Sequence, residues 1–534
     1  MRKLGTAFVN APFSLNRALV HPNSLHFFKN SPAFCDEISS LGRLPAKPDG
    51  LPAVLLLQLH RRNPPVQTRD GFSNQSMKKN DLIVLAILAA VLAGGLGLHL
   101  IQQREPPGVQ GDRIAPGEAG YYGRGDTSAA PGPVTTVFWL SIDGVRPYYL
   151  SRAETPFLDR LMAEGAYSLE HEVVFPSLTF PTHVSQATGV SIREHGIPMN
   201  RFYDLETRRR HDYPGDSRLL EAEPIWITAA RQGIRAASLD WVLAHGQTGE
   251  HTAEYFDPEF QRGLSDRERL DRLLAIWRAD ADPDPLRLVM GYIGAPDRAG
   301  HRYGPDSNEV VRAMEDTDAL LREHYQAIVE HWETGRQPED RLYFLITSDH
   351  GMSAVHTLIN PYALTGLDGR DDVTLIAGGN VAHLYLDRRL SAADRENLLA
   401  ATRDRLRDFD YLRAYRREEL PPEWEYDHPT RAGDLVVVLD PGYSFSGRPE
   451  GIRAAPEDVN GPRGMHGYHP EENPDMLTIA LVHRHPEPLG GIDLGPIHSR
   501  QLHPTVAALL GIDPADGADG EPIVLERDES EPGS

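Results

Sequence analysis

Cysteine is nearly absent from this 534-residue chain, in which Cys35 is the only one. A single thiol cannot form an intrachain disulfide, and it cannot build the multi-thiolate zinc sites of zinc fingers and ribbons. Any metal site in this chain must therefore be assembled from Asp, Glu and His side chains.

Positive charge is also scarce, with 54 Lys and Arg against 77 Asp and Glu and a formal net charge of -23 at pH 7. This balance argues against a nucleic acid polymer as a partner, because phosphate backbones are bound by basic surfaces. A small anionic substrate can still bind, since a metal ion reverses the sign of the local charge.

Apolar runs long enough to cross a bilayer are absent with one exception, Leu82–Ile101, which is broken only by glycines and His99. Its length matches the roughly 20 residues that a spanning helix needs, so it predicts one transmembrane helix. Lys78 and Lys79 precede it and predict a single-pass protein of the inner (cytoplasmic) membrane, with the rest of the chain facing the periplasm or exterior. The alternatives are a buried core helix and a cleaved signal peptide, but the run continues beyond its small-residue cleavage candidates and favours an uncleaved anchor.

By composition the chain divides into an irregular Pro-rich stretch, an anchor or signal segment, a Gly/Pro-rich linker, one folded domain and a disordered acidic tail: residues 1–76, 77–103, 104–134, 135–525 and 526–534. Met77 directly precedes the two lysines of the anchor. We therefore expect translation to begin at Met77, with residues 1–76 an over-extension of the reading frame.

Short apolar runs alternate with amphipathic helical patterns across the folded domain. The predicted buried strands are Thr136–Ile142, Ala236–Leu239, Leu286–Ile293 and Leu342–Thr347. The predicted helices are Pro156 to Gly165 after an N-capping Thr155, Ser307–Trp332 and Ser391–Phe409. This alternation predicts an α/β fold in which helices cover both faces of a mostly parallel sheet.

Residues of the metal-binding type follow several predicted strands, at the edge that builds the site in such folds. These candidate ligands are Asp143, Asp297, His301, Asp349, His350 and His466. Each alone is a weak signal, because an aspartate after a strand is usually a turn or cap residue. Together, three Asp and three His supply about the number of ligands that two tetrahedral zinc ions need beside water or substrate.

Thr179 is the candidate nucleophile of this set. It lies in Phe175–His183, where two prolines frame a turn and Thr182–Thr188 resembles the start of a helix. A hydroxyl there faces free backbone N–H groups, which favour an anionic phosphate. Coordination to zinc would lower the pKa of the hydroxyl and make it nucleophilic. The alternative is a plain N-cap threonine, and the neighbouring ligand set favours the nucleophile.

Several segments, in family order across roughly residues 136–515, resemble the nucleotide pyrophosphatase/phosphodiesterase family of the alkaline phosphatase superfamily, in its bacterial type I phosphodiesterase form. The segments are Asp143–Arg146, Thr155–Leu158, Phe175–His183, Thr188–Gly189, His195–Asn200, Asp297–Pro305, Asp349–Met352, His466–Tyr468 and the closing helix His503–Ile512. The resemblance implies an alkaline-phosphatase-like α/β/α sandwich and identifies residues 135–525 as a phosphodiesterase catalytic domain.

The resemblance also implies a site with two zinc ions. One ion is implied to bind Asp297, His301 and His466, and the other Asp143, Asp349 and His350, with Thr179 as its nucleophilic ligand. Asn200 matches the family asparagine that hydrogen-bonds a phosphate oxygen, and Phe180 an aromatic position beside the leaving-group or base pocket.

The implied reaction hydrolyses phosphodiester or pyrophosphate bonds of a small phosphodiester or nucleotide in two in-line steps, through a phosphothreonine at Thr179. The sequence gives no sign of an obligate protein partner. The alternatives within the superfamily are a phosphomonoesterase and a phosphonate hydrolase. The alternative from another class is a catalytically dead, membrane-anchored binding protein, against which the complete set of ligands and hydroxyl argues.

This chain departs from the family pattern in places that bear on the substrate. Thr182 replaces a common Asn, and His469 stands where Asp or Asn is frequent. Trp241–Ala244 lacks the Trp-Pro-Gly of nucleotide-type members. Tyr255 and Phe256 could stack on a base, with core packing as the alternative. Nucleotide, lipid head group and phosphonate substrates therefore stay open.

Overall fold

The computed structural model of the protein describes residues 133–280 and 282–525. The expected start at Met77, the predicted membrane segment, the acidic tail and nearly all of the linker lie outside these residues. Within the described part of the chain, no helix combines the length and apolar character that a membrane crossing requires.

The strands, numbered in chain order, are β1 (Thr135–Ile142), β2 (Ala166–Glu172), β3 (Arg201–Asp204), β4 (Arg209–Asp212), β5 (Ala236–Ser238), β6 (Tyr255–Phe256), β7 (Leu288–Ile293), β8 (Arg341–Thr347), β9 (Ser353–Ala354), β10 (Thr357–Ile359), β11 (Val373–Gly378), β12 (Val381–Leu386), β13 (Leu412–Arg416), β14 (Leu435–Leu439), β15 (Tyr443–Phe445), β16 (Arg453–Ala454), β17 (Gly464–Met465), β18 (Thr478–His485), β19 (Ile492–Asp493) and β20 (Pro496–His498).

The α-helices are α1 (Tyr148–Arg152), α2 (Pro156–Glu164), α3 (Thr179–Thr188), α4 (Ile192–His195), α5 (Ile225–Arg231), α6 (Asp266–Ala279), α7 (Ala295–Tyr303), α8 (Asn308–Glu333), α9 (Pro361–Thr365), α10 (Ala392–Leu406) and α11 (Leu502–Leu510).

A nine-stranded mixed sheet forms the centre of the described residues, in the order β19-β2-β18-β8-β1-β7-β5-β6, with β20 also paired to β2. Strand β1 lies between β7 and β8 and is parallel to both. Strand β18 runs antiparallel to its neighbours β8 and β2. The carboxyl ends of β1, β7 and β8 therefore meet at one edge of the sheet.

Alternate residues of β1 enter two separate hydrophobic cores, because successive side chains of a strand point to opposite faces. Phe138 and Leu140 pack in a core with residues of α2, α6 and α8. Val137 and Trp139 pack in a second core with residues of α3, α5 and α11. Helices thus cover both faces of the sheet, as the sequence pattern predicts.

A smaller antiparallel sheet, in the order β11-β12-β14-β13, is inserted between β8 and β18. Its own core includes Leu384, Val437 and Leu406 of α10. A further cluster joins Val381, Val436 and Val438 of this sheet to Phe175 and Leu178, directly before α3. The insertion therefore buttresses the segment that leads to Thr179.

The elements anticipated from the sequence are present, with small differences at their ends. The helix expected from Thr182 begins at Thr179 and includes Pro181. A proline in the first turn is tolerated because the first N–H groups of a helix have no intrahelical acceptor. This earlier start places Thr179 at the first position of α3.

Candidate active site

The candidate ligands come from four chain segments that the fold brings to one edge of the central sheet. Asp143 directly follows β1, and the pair Asp349 and His350 follows β8. Asp297 and His301 lie one turn apart on α7, directly after β7. His466 follows β17, which pairs with β9. Parallel strand ends thus assemble these side chains, as is typical of α/β folds.

Asp297, His301 and His466 form one group of possible metal ligands. Oδ1 of Asp297 lies 3.2 Å from Nε2 of His301 and 3.7 Å from Nε2 of His466. The helical spacing of four residues puts Asp297 and His301 on one face of α7. Three donor atoms of the type that zinc accepts therefore converge here.

Asp143, Asp297 and His350 form a second group, so Asp297 belongs to both. Nε2 of His350 lies 3.3 Å from Oδ1 of Asp143 and 3.1 Å from Oδ2 of Asp349. Asp349 therefore also reaches His350. The assignment of Asp297 to one ion and Asp349 to the other stays a prediction, because the geometry puts Asp297 within reach of both groups.

Hydrogen bonds to the backbone orient the three histidines. Nδ1 of His301 donates to the carbonyl of Gly464 at 2.8 Å, that of His350 to Gly351 at 2.9 Å, and that of His466 to Ser177 at 2.9 Å. With Nδ1 protonated, a neutral imidazole presents the lone pair of Nε2 to the centre. Backbone acceptors behind ligating histidines are a common feature of metal sites.

Three buried carboxylate oxygens in the centre have no hydrogen-bond partner among the described residues: Oδ1 of Asp143, Oδ1 of Asp297 and Oδ2 of Asp349. The second oxygen is hydrogen-bonded in two of these carboxylates: Oδ2 of Asp143 accepts from Tyr292, and Oδ1 of Asp349 accepts from the Gly144 N–H. Buried charged oxygens without donors are costly unless a cation binds them. The donor set fits divalent metal ions.

The ionisation of these groups shows how much negative charge the centre concentrates. Burial raises the pKa of Asp143 well above its usual range, and the charges of Asp349 and Asp297 raise it further. Burial alone would lower the pKa of His350, but the neighbouring carboxylates, Asp349 foremost, raise it to about 9. The clustered carboxylates thus attract positive charge, which metal ions supply.

Gly144 allows Asp143 and Asp297 to approach each other. Its φ of +75° lies in the left-handed region, and a Cβ there would lie 2.9 Å from both Cα and Cβ of Asp297. Any side chain at this position would displace α7 or the end of β1.

The predicted nucleophile and its neighbours lie beside the second group. Oγ1 of Thr179 is 3.3 Å from Nε2 of His350. The side-chain oxygen of Asn200 accepts from the backbone N–H of Phe180 at 2.9 Å. The NH₂ group of Asn200 is therefore the end of its carboxamide that can donate to a phosphate oxygen.

A cavity of about 490 Å³ opens onto this centre and is lined by Thr179, Phe180, Asn200, Asp297 and His466 among others. Phe180 forms an edge-to-face pair with Tyr213, with centroids 5.7 Å apart. The lining that follows β5, together with Phe260, is here called the facing wall, and it consists of Asp240, Val242, Leu243, His245 and Phe260.

Tyr255 and Phe256, considered from the sequence as base-stacking residues, belong instead to the packed interior. Phe256 is buried in the core of α5 and α11, and Tyr255 packs against the other core. Trp241 is fully buried against Trp139, with ring centroids 4.8 Å apart. Core packing is thus the correct reading for Phe256 and Trp241.

Two residues that the sequence did not single out complete the site. Tyr292, on β7, donates its hydroxyl to Oδ2 of Asp143 at 2.5 Å and lines the cavity. His183, on α3, lies 2.8 Å from the carbonyl of Thr179 and 3.4 Å from Oδ2 of Asp349. Their proximity to strand ends and to Thr179 was visible in the sequence, but their contacts depend on the fold.

The fold and the site together define a hydrolase of phosphoric esters in the alkaline phosphatase superfamily. A family model described as type I phosphodiesterase / nucleotide pyrophosphatase matches residues 137–469. The chain belongs to this family of phosphodiesterase and nucleotide pyrophosphatase hydrolases, whose members depend on metal ions.

Named relatives cover most of the chain. Ectonucleotide pyrophosphatase/phosphodiesterase family member 7 of Rattus norvegicus is 29% identical, over 72% of this chain and 85% of the relative. Bis(5'-adenosyl)-triphosphatase ENPP4 of Bos taurus is 28% identical, over 73% of this chain and 81% of the relative.

Solved structures of ectonucleotide pyrophosphatase / phosphodiesterase 5 share the fold. The human protein aligns with a TM-score of 0.62 and 25% identity, over 72% of this chain and 97% of that one. An inactive threonine-to-alanine variant of the murine protein, in complex with AMP, aligns with a TM-score of 0.61 and 25% identity, over 71% of this chain and 96% of that one.

Proposed function

We propose that the protein is a zinc-dependent phosphodiesterase and nucleotide pyrophosphatase that acts through a phosphothreonine at Thr179. The observation that carries this proposal is the position of the Thr179 hydroxyl. It lies 3.3 Å from Nε2 of His350, at the first residue of a helix and beside carboxylate oxygens that have no protein donor.

The residues that would hold two zinc ions are the six candidate ligands. Asp297, His301 and His466 would hold one ion, and Asp143, Asp349 and His350 the other, with Asp297 placed between the two groups. When bound, zinc supplies Lewis acidity that lowers the pKa of the Thr179 hydroxyl and offsets the charge of the phosphate.

The chain's own residues account for the positioning of the substrate. At the N-terminus of α3 the Phe180 N–H already donates to Asn200 and Pro181 has no N–H, so the N–H of Thr179 is the backbone donor left for the phosphate. The NH₂ of Asn200 donates to one of the phosphate oxygens. The Thr179 oxygen bonds to phosphorus as the bond to the departing alcohol or phosphate group breaks. Water then cleaves the threonine–phosphate bond in line, which restores the hydroxyl.

Two relatives support a nucleotide as the substrate. ENPP4 of Bos taurus is named as a bis(5'-adenosyl)-triphosphatase, and the murine ENPP5 structure contains AMP. That murine variant is described as inactive and carries alanine in place of a threonine. Both observations agree with a nucleotidyl substrate and a threonine nucleophile in this chain.

The decisive test is Thr179→Ala in zinc-loaded protein, with Thr179→Ser as the matched control. Removal of the nucleophile should lower kcat for a nitrophenyl phosphodiester by about 10³-fold or more. Thr179→Ser should retain measurable turnover because it keeps a hydroxyl. Zinc analysis should give two ions per chain in all three proteins. Near-normal hydrolysis by Thr179→Ala, or less than one zinc per chain, would refute the proposal.

A phosphomonoesterase needs an additional cation near the nucleophile for the extra anionic oxygen of its substrate. Two arginines line the cavity, Arg201 and Arg262. Arg201 is paired with Asp212 at 2.7 Å, and Arg262 lies exposed on the loop after Phe260. The pairing of Arg201 supports diesters, and Arg262 is the side chain that would serve a monoester. Faster hydrolysis of nitrophenyl phosphate than of a nitrophenyl diester would make the phosphomonoesterase the better proposal.

The location of the enzyme is a separate proposal that rests on the sequence of Leu82–Ile101. We infer that this segment anchors the catalytic domain to the outer face of the cytoplasmic membrane. Cell fractionation followed by protease treatment of intact spheroplasts tests it, and a catalytic domain protected from protease would contradict it.

A further inference from the structure

The facing wall is built from a turn with unusual backbone geometry. Asp240 and Leu243 both have φ of +57°, in the left-handed region that non-glycine residues seldom adopt. Such conformations cost on the order of 1–3 kcal/mol each and persist only where the surroundings enforce them. Both residues line the cavity, as does His245, whose ring nitrogens have no hydrogen-bond partner among the described residues.

One arginine contacts both segments of this wall without lining the cavity itself. Nη1 of Arg269, on α6, forms a buried ion pair with Oδ2 of Asp240 at 2.6 Å. Nη2 of Arg269 donates to the carbonyl of Gln261 at 2.8 Å. Its guanidinium also lies 4.6 Å from the ring centroid of Phe260.

We propose that Arg269 is a positioning residue for substrate recognition: it fixes the turn at Asp240 and the ring of Phe260 as one surface of the cavity that opens onto the metal centre. A planar guanidinium can pair with Asp240, donate to Gln261 and lie over the ring of Phe260 at once, whereas a lysine ammonium has no planar face to stack. The proposal rests on the proposed phosphodiesterase function. It assigns the affinity for the organic part of the substrate to this wall, separately from the phosphate site.

The wall and the metal centre can be separated by the ligands used to probe them. Inorganic phosphate is small enough to bind at the metal centre alone, whereas AMP extends into the cavity. Loss of Arg269 should therefore weaken AMP binding and leave phosphate binding unchanged. The same contrast applies to two diesters that share the nitrophenyl leaving group, the esters of thymidine 5'-monophosphate and of methyl phosphate. Loss of Arg269 should affect the first and spare the second.

The variants are Arg269→Met, which removes all three contacts, and Arg269→Lys, which keeps the charge but not the planar guanidinium. Arg269→Met leaves the buried Asp240 without its nearest partner and lowers stability, so Arg269→Lys decides the question if Arg269→Met does not fold. Arg235→Met is the matched control. Arg235 is an equally buried arginine paired with Glu254 and Asp280, at the opposite end of β5 from the site.

Calorimetry on zinc-loaded proteins in the Thr179→Ala background should show that Arg269→Met weakens AMP affinity about tenfold and that Arg269→Lys has an intermediate affinity. The phosphate affinity of both variants should stay within about twofold of that of the parent. With Thr179 intact, KM for the thymidine ester should rise about tenfold at nearly constant kcat, while kcat/KM for the methyl ester stays unchanged. Arg235→Met should change neither the ratio of AMP to phosphate affinity nor the ratio of kcat/KM between the thymidine and methyl esters.

Equal losses for AMP and phosphate, or no loss for AMP, would overturn the positioning role. AMP binding no tighter than phosphate binding in the parent protein would also overturn it, because the wall would then add nothing. If the proteins bind AMP but hydrolyse no diester, the proposed function fails, and the ratio of AMP to phosphate affinity still decides the role of Arg269.

Discussion

The two sides of the cavity are held in place by opposite electrostatic arrangements. On the metal side, the buried carboxylates of Asp143, Asp297 and Asp349 lie beside histidines, and among the described residues no Arg or Lys pairs with them. On the facing wall, the carboxylate of Asp240 is paired with Arg269 behind the surface. The first side is incomplete without a cation, whereas the second is neutralised by the chain itself. The proposed chemistry and the proposed recognition therefore fall on different parts of the cavity.

The contrast extends to what each side demands of the backbone. The metal side requires a glycine, Gly144, where two ligand segments come into contact. The facing wall holds two non-glycine residues in left-handed conformations, Asp240 and Leu243. On the wall, the ion pair with Arg269 holds the left-handed Asp240, whereas the metal side avoids backbone strain by omitting a side chain.

The largest effect is expected from Gly144→Ala, because it acts where Asp143 and Asp297 approach each other. The new Cβ would meet Asp297 at 2.9 Å and force it away from the other ligands. Displacement of a site by about 1 Å lowers activity on the order of 100-fold. We therefore expect kcat/KM for a nitrophenyl diester to fall by about that factor, with lower zinc content.

Gly233→Ala is the control for the backbone cost of that substitution. Gly233 has φ of +78°, but a Cβ there meets nothing within 4 Å. The two variants should lose similar backbone free energy, while only Gly144→Ala should lose activity and zinc. Equal activity in the two variants would mean that the contact with Asp297 does not organise the centre.

Tyr292→Phe should have a smaller effect and tests a side chain that touches both sides. Its hydroxyl donates to Asp143, and its ring packs edge-on to Phe260 with centroids 6.4 Å apart. Loss of the hydroxyl should weaken zinc binding about tenfold, as is common for partners of metal ligands. The ring contact is kept, so the ratio of AMP to phosphate affinity should not change.

Competition with a zinc chelator measures this effect, and Tyr325→Phe is its control. Tyr325 is also a buried tyrosine, but its hydroxyl contacts His483 in the core away from the site. A zinc affinity for Tyr292→Phe equal to that of Tyr325→Phe would show that the Asp143 contact does not support the metal.

The grouping of the candidate ligands could be anticipated in part from the sequence, because three of them follow strands whose apolar pattern is local. Asp143, Asp297 and Asp349 could be located from the ends of three apolar runs. Arg269 could not be predicted in this way, since its partners Asp240 and Phe260 lie in other segments and its own position on α6 is that of an ordinary helical residue. The antiparallel sheet β11–β14 was also missed, because β12 and β14 pair across about fifty residues that carry no local sign of the pairing.

The smallest effect concerns the residue that precedes the loop carrying Asn200, and its signature is a pH dependence of stability. His195 precedes this loop and is fully buried, with Nδ1 accepting from the Ile197 N–H at 3.1 Å and Nε2 lying 3.0 Å from Oγ of Ser185. Burial lowers the pKa of His195 to about 3, and the nearby His428 lowers it too. A histidine of the unfolded chain titrates near 6.5, so between these two values the unfolded state binds a proton that the native state excludes.

His195 therefore makes stability fall as pH drops below about 6.5, by about 1.4 kcal/mol per pH unit at most, and has no such effect above it. His195→Asn keeps an acceptor for the Ile197 N–H but cannot be protonated. We expect the variant to be less stable than the parent at pH 8, because it loses ring packing and the Ser185 contact, and to lose less stability between pH 6 and pH 5. Urea unfolding of both proteins at pH 8, 6 and 5 measures the difference, and parallel losses would show that His195 does not carry this pH dependence.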